Sequence, residues 1–234
     1  MVKDSLRKFL KASRNSVSRE VILRLKFVHD LKVAAAARNY DLRVFMPDVD
    51  REGYDLVLDD GDDIRKYQIK SVFDSKKSSW VISKNLFRLP CGLIEKFKLV
   101  PSPLTEGVGG GFVLLLAKVH NADLALTYFY TDIYVILSMQ HGLLKKYNLP
   151  SQDRINLLLE DIFTGSRQDK VKITKSFLVN PRGKEELLAL MGMHSRIDGK
   201  CWINNLIGYL SENGNNKKAH QKVLEQTFSK MVVS

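Results

Sequence analysis

Gly53-Tyr54-Asp55-Leu56-Val57-Leu58-Asp59-Asp60-Gly61-Asp62-Asp63-Ile64-Arg65-Lys66-Tyr67-Gln68-Ile69-Lys70-Ser71 is the stretch that decides how this chain is read. Leu56 to Leu58 and Tyr67 to Val72 are apolar-rich runs with β-branched or aromatic content. They flank the acidic, glycine-centred turn signal Asp59 to Asp63, so a β-hairpin is expected. Strand side chains alternate faces, which puts Gln68 and Lys70 on one side. Asp55 opens the first strand, and pairing across the hairpin brings it beside Gln68. A carboxylate and an amide carbonyl oxygen suit a hard divalent cation such as Mg²⁺. A neighbouring lysine can position a water or steady charge developing on a phosphate. The same residues would also make a solvated hairpin with a stray lysine.

The charge around this stretch is uneven. Residues 1–30 carry eight Lys or Arg against three Asp or Glu; residues 41–63 carry two against nine; residues 64–100 carry nine against two. Carboxylates that collect a cation, flanked by bases that collect phosphates, suit metal-assisted chemistry on a polyanion. The net charge is +11, with 44% of residues hydrophobic and 27% charged, the balance of an ordinary globular chain. No apolar run approaches the ~18 residues of a membrane-spanning helix. The charged N-terminus, Met1 to Lys11, lacks an apolar signal core, so a cytoplasmic protein with no membrane partner is expected. Cys91 and Cys201 stand alone and form no CxxC pair, which argues against a zinc site or disulfide framework.

At Asp55, then twelve residues, then Gln68-Ile69-Lys70, the sequence resembles the PD-(D/E)xK nuclease superfamily in its Gln-x-Lys variant. Pro47-Asp48 matches the name of that motif literally but falls in the loop before the hairpin. Glu20, in Ser18-Arg19-Glu20 at the start of a helix, resembles the acidic residue that many members carry there as an outer metal ligand. The resemblance spans roughly residues 15–145. It implies an α/β fold with a restriction-endonuclease-like mixed central sheet flanked by helices. It implies a Mg²⁺-dependent endonuclease, with Mn²⁺ able to substitute, that hydrolyses DNA phosphodiesters in restriction, phage defence, repair or recombination. Asp55 and Gln68 would then ligate the metal with the Ile69 carbonyl, and Lys70 would position the attacking water. Arg19, Lys76 and Lys77 are the expected nucleic-acid contacts, DNA is the expected partner, and a homodimer stays open. The alternatives are a non-catalytic nucleic-acid-binding protein of the same fold and an interaction subunit.

Periodicity fills in the rest. Helices are expected at 17–38 with Ser18 as cap, 132–147, 151–163, 183–191, 200–211 and 216–231. Strands are expected at 42–46, 53–59, 65–72, 80–83, 111–118, 124–130 and 171–179. Residues 1–150 form the core, and 151–234 are a mainly helical C-terminal region that belongs to the same domain or a separate lobe. Thr131-Asp132 reads as a helix start. Gly107 to Gly111 precedes a strand and reads as a loop rather than a phosphate cradle. Trp80, Phe87 and Tyr67 read as core aromatics and His29 as a packing residue.

Overall fold

The computed structural model describes residues 5–47, 53–73, 77–90, 106–120, 123–144, 149–166, 168–193 and 202–233. Pro47 is described, but Asp48, Lys76, Cys91 and Cys201 lie outside these residues. Helix α1 (Ser5–Lys11) leads into α2 (Ser16–Ala37), and short β1 (Arg43–Phe45) follows. The hairpin is β2 (Leu56–Asp59) and β3 (Ile64–Phe73); β4 (Ser79–Ser83) runs straight into the one-turn α3 (Lys84–Phe87). Then come the long strands β5 (Gly111–His120) and β6 (Asp123–Asp132), and α4 (Ile133–Gln140). Next are α5 (Gln152–Phe163), β7 (Lys170–Thr174), α6 (Lys184–Leu190), α7 (Trp202–Ser211) and α8 (Gly214–Met231).

The main sheet has the order β1-β2-β3-β5-β6. It is mixed: β3 and β5 run parallel and the other neighbours antiparallel. The register places Gln68, Phe112 and Thr131 in one row and Ser71, Leu115 and Tyr128 in another, on opposite faces. Helix α2 covers the Tyr128 face, where the Phe27 and Tyr128 rings sit 5.7 Å apart. A separate antiparallel ribbon of β4 and β7 covers the Phe112 face, with Trp80 6.1 Å from Phe112. Helix α5 packs against β7, α3 and α4, and α6 packs against α2 and α8. One contiguous core runs from Leu23 on α2 to Val232 after α8. No helix among the described residues is long and apolar enough to cross a membrane.

The expected elements move where local chemistry overrides periodicity. Ser18 is not the cap of α2, which starts at Ser16 after Asn15. The helix after β6 stops at Gln140 rather than 147, because Gly142 takes a positive φ of 65° that ends helices readily. Asp132 both ends β6 and caps α4, its side chain accepting from the Val135 N–H at 2.7 Å, as the helix-start reading required. The late strand is shorter than expected: β7 ends at Thr174, and only Val179 returns to the main sheet, bridging to Tyr130. Trp80, Phe87 and Tyr67 are core residues, but the His29 side chain is 68% exposed beside Asp30.

Candidate active site

The site begins where the hairpin ladder stops. β2 pairs with β3 only from Leu56 to Asp59, opposite Tyr67 to Ile64. Just before it, the Asp55 N–H donates to the Tyr67 carbonyl at 2.8 Å. From Gln68 onward β3 is paired on its β5 side only, among the described residues. The backbone N–H of Ile69 would therefore lack a strand partner. The Asp55 carboxylate takes it instead, with Oδ2 accepting at 2.7 Å. In an extended strand the N–H and C=O of one residue point to the same side. The Ile69 carbonyl thus faces the open edge that Asp55 occupies, and the two oxygens share one margin of the sheet.

Gly53 holds the approach to this point. Its φ is +78°, and a Cβ there would come within 2.6 Å of Ser83 Cβ. Only glycine fits both the conformation and the space.

Asp55, Lys70 and Glu20 line one cavity of about 250 Å³, together with Arg24, Lys77 and Trp80. Ile69, Ser71 and Leu115 complete its wall. Glu20 and Arg24 are one turn apart on α2 and enter from the Tyr128 face of the sheet. Lys70, in register with Leu114, stands on the Phe112 face, so the cavity wraps around the open edge of β3. Among the described residues two carboxylates and three cations meet there, and the Lys70, Glu20 and Arg24 side chains make no hydrogen bond or ion pair.

The other expected residues fall differently. Gln68 does share its face with Lys70, but it is buried and does not line the cavity. Its Oε1 accepts from the Ser83 N–H at 3.3 Å, which ties β3 to β4. Arg19 also lies outside the cavity lining: its guanidinium donates to the Leu10 carbonyl at 2.9 Å at the end of α1. Lys77 lines the cavity as an exposed side chain. Arg24 was not anticipated, although its position four residues after Glu20 on a helix was a usable signal.

The Asp55 carboxylate and the Ile69 carbonyl are hard oxygen donors of the type a divalent cation takes. Among the described residues no group of three or more His, Cys, Asp or Glu gathers to hold a metal. A cation on this edge would complete its shell with water and substrate oxygens, as Mg²⁺ commonly does. The donor set fits such an ion and does not fit a soft, thiolate-seeking one.

Two other charged clusters are structural. Arg65 is buried at the opposite end of β3, donating to the Met191 carbonyl at 2.6 Å, the Gly109 carbonyl at 2.8 Å and Asp132 Oδ2 at 3.2 Å. Tyr130 donates to the same Asp132 oxygen at 2.7 Å, and Tyr67 to Met191 O at 2.6 Å. Burial pushes the Asp132 carboxyl up, against the pull of Arg65. Asp30 on α2 accepts from Lys26 at 2.6 Å, from Lys184 at 2.7 Å and from the Tyr128 hydroxyl. Burial raises Asp30, but these donors outweigh it and hold the carboxyl well below the usual aspartate range.

Comparison of the chain with protein-family models, with curated proteins and with solved structures finds no match.

Proposed function

We propose that this chain is a metal-dependent endonuclease that hydrolyses DNA phosphodiester bonds on a restriction-endonuclease-like sheet. One observation carries the reading: the Asp55 carboxylate is fastened to the Ile69 N–H on an open strand edge, inside the cavity that Lys70 and Glu20 also enter. Asp55 and the Ile69 carbonyl would hold Mg²⁺ or Mn²⁺. Such an ion, when bound, neutralises phosphate charge and acidifies water.

The remaining steps belong to the protein's own groups. Lys70 Nζ donates to the attacking water or to the phosphate oxygen on which charge builds, in a niche walled by Trp80 and Leu115. The Glu20 carboxylate accepts a hydrogen bond from water on the α2 side. Arg24 presents a planar fork to the non-bridging oxygens, and Lys77 adds a point charge at the rim. Among the described lining residues three cations stand against two carboxylates, a balance that favours entry of a phosphodiester.

A second reading is a non-catalytic nucleic-acid-binding protein of the same fold. The observation that favours it is Gln68, whose amide oxygen is engaged with Ser83 and lies outside the cavity lining. Incubation of supercoiled plasmid with Mg²⁺ and with EDTA separates the two. Nicking or linearisation that requires the metal is the expected result. Metal-independent binding without cleavage would leave the second reading in place.

A further inference from the structure

The β4–β7 ribbon has an inner and an outer face. Trp80, Ile82, Val171 and Ile173 point inward and are buried. The cross-strand register pairs Ser79 with Thr174, Val81 with Lys172 and Ser83 with Lys170, so these six residues share the outer face. The Lys170 and Lys172 side chains are exposed there and make no hydrogen bond or ion pair among the described residues. Arg154 leans across from α5, its guanidinium donating to Thr174 Oγ1 at 3.2 Å. Of the nearby acids, Asp169 is engaged with the Ser166 N–H at 2.8 Å, and Asp153 is exposed on α5.

The outer face adjoins the cavity at its Lys77 end, and its other end reaches the chain that leads into Asp55. Lys77, two residues before β4, lines the cavity directly. At the other end Ser83, the cross-strand neighbour of Lys170, is pressed against Gly53, two residues before Asp55. Lys170 and Lys172 stand two positions apart on one strand, about 6.6 Å, a row of charge at backbone-phosphate scale.

We infer that the outer face of the β4–β7 ribbon is a phosphate track, on which Lys170, Lys172 and Arg154 hold the nucleic-acid backbone flanking the phosphodiester in the cavity. The inference rests on the nucleic-acid reading of that cavity. Lysines meeting phosphates carry no base information, so the track fixes register and affinity without sequence preference. The exposed Val81 opposite Lys172 gives the sugar backbone an apolar contact rather than a base-reading hydrogen bond.

The test compares wild type with the Lys170→Ala/Lys172→Ala double variant, and with Lys218→Ala/Lys222→Ala on α8 as a control. Fluorescence anisotropy of a labelled DNA duplex in EDTA gives affinity against salt, and hydrolysis of bis(p-nitrophenyl) phosphate with Mg²⁺ reports the cavity alone. Loss of two phosphate contacts should flatten the log–log salt slope by about 1.8, from ~0.9 per contact. Affinity near 100 mM salt should fall at least ~10-fold, while small-diester hydrolysis and the control variant stay at wild-type values. An unchanged slope and affinity in the β7 variant overturns the track even if the enzyme cuts DNA. A wild type that does not bind DNA overturns both readings. Binding that depends on Lys170 and Lys172 without any metal-dependent hydrolysis keeps the track and removes the nuclease assignment.

Discussion

β3 carries a cation near each end, and the protein treats the two in opposite ways. Arg65 is buried with its carboxylate and carbonyl partners around it, and each oxygen of Asp132 has a donor. Lys70, five residues further on, faces a cavity with no partner among the described residues, and the carboxylates near it are not spent on it. Charges taken out of water cost several kcal/mol each and are tolerated only when paired. Charges left unpaired in a concave, solvated place cost little and remain available to a ligand. The difference separates a strut from an available charge on one strand.

The largest effect should come from breaking the strut. Arg65→Met leaves Asp132 buried without its cation, and a loss of about 3–5 kcal/mol is expected. A thermal melt that barely moves would show that the buried end is not what organises β3.

Lys70→Ala should do the reverse. Cleavage should fall ~10²–10³-fold, the cost of removing one group that steadies developing charge, with the melting temperature unchanged. A variant that cuts at wild-type rate, or one that unfolds, would erase the contrast between the two ends.

On the proposed reading the open end binds a cation in the folded state only, and a smaller effect follows. Mg²⁺ at ten times its dissociation constant stabilises by about 1.4 kcal/mol. For a chain of this size that is roughly 3–6 °C in a melt at fixed ionic strength. Asp55→Asn should remove most of the shift while leaving Arg65 and its network alone. An equal shift in both proteins would mean that the ion binds elsewhere.

The last effect is read in acid. The folded-state value of Asp30 lies below its unfolded one, so its contribution is complete above about pH 4 and is lost as pH falls toward the folded value. Melting temperature should therefore drop on acidification below about pH 4, and Asp30→Asn should flatten that part of the profile. A profile unaltered by the substitution would show that Asp30 is not a clamp between α2, β6 and α6.

The hairpin, the long second helix and the cap at Asp132 were legible because each rests on local chemistry: alternation, helical spacing, a side chain three residues from the amide it accepts. The meeting of Asp55, Lys70 and Glu20 in one cavity followed from alternation together with the family resemblance. What covers each face was not legible. The pairing of β4 with β7 joins residues some ninety positions apart, and no spacing rule encodes it. For the same reason Gln68 could be assigned a face but not its Ser83 partner, and Arg65 could not be told from a surface base. The engagement of Arg19 with α1 was not legible either, because its proximity to Glu20 in sequence says nothing of the Leu10 carbonyl it meets.

The bond between the Asp55 carboxylate and the Ile69 N–H has a consequence apart from any reaction. An unpaired strand edge is a template on which another chain can add a strand, and proteins commonly blunt such edges with charge. Asp55 does this with one side chain, satisfying the amide of Ile69 just beyond the β2 ladder and placing a negative charge where an incoming strand would dock. Asp55→Ala would therefore open the edge to self-association, whereas Asp55→Asn keeps an acceptor for the amide. Retention of an acidic or amide residue at position 55 would thus favour solubility even in a descendant that had lost every other group of the cavity.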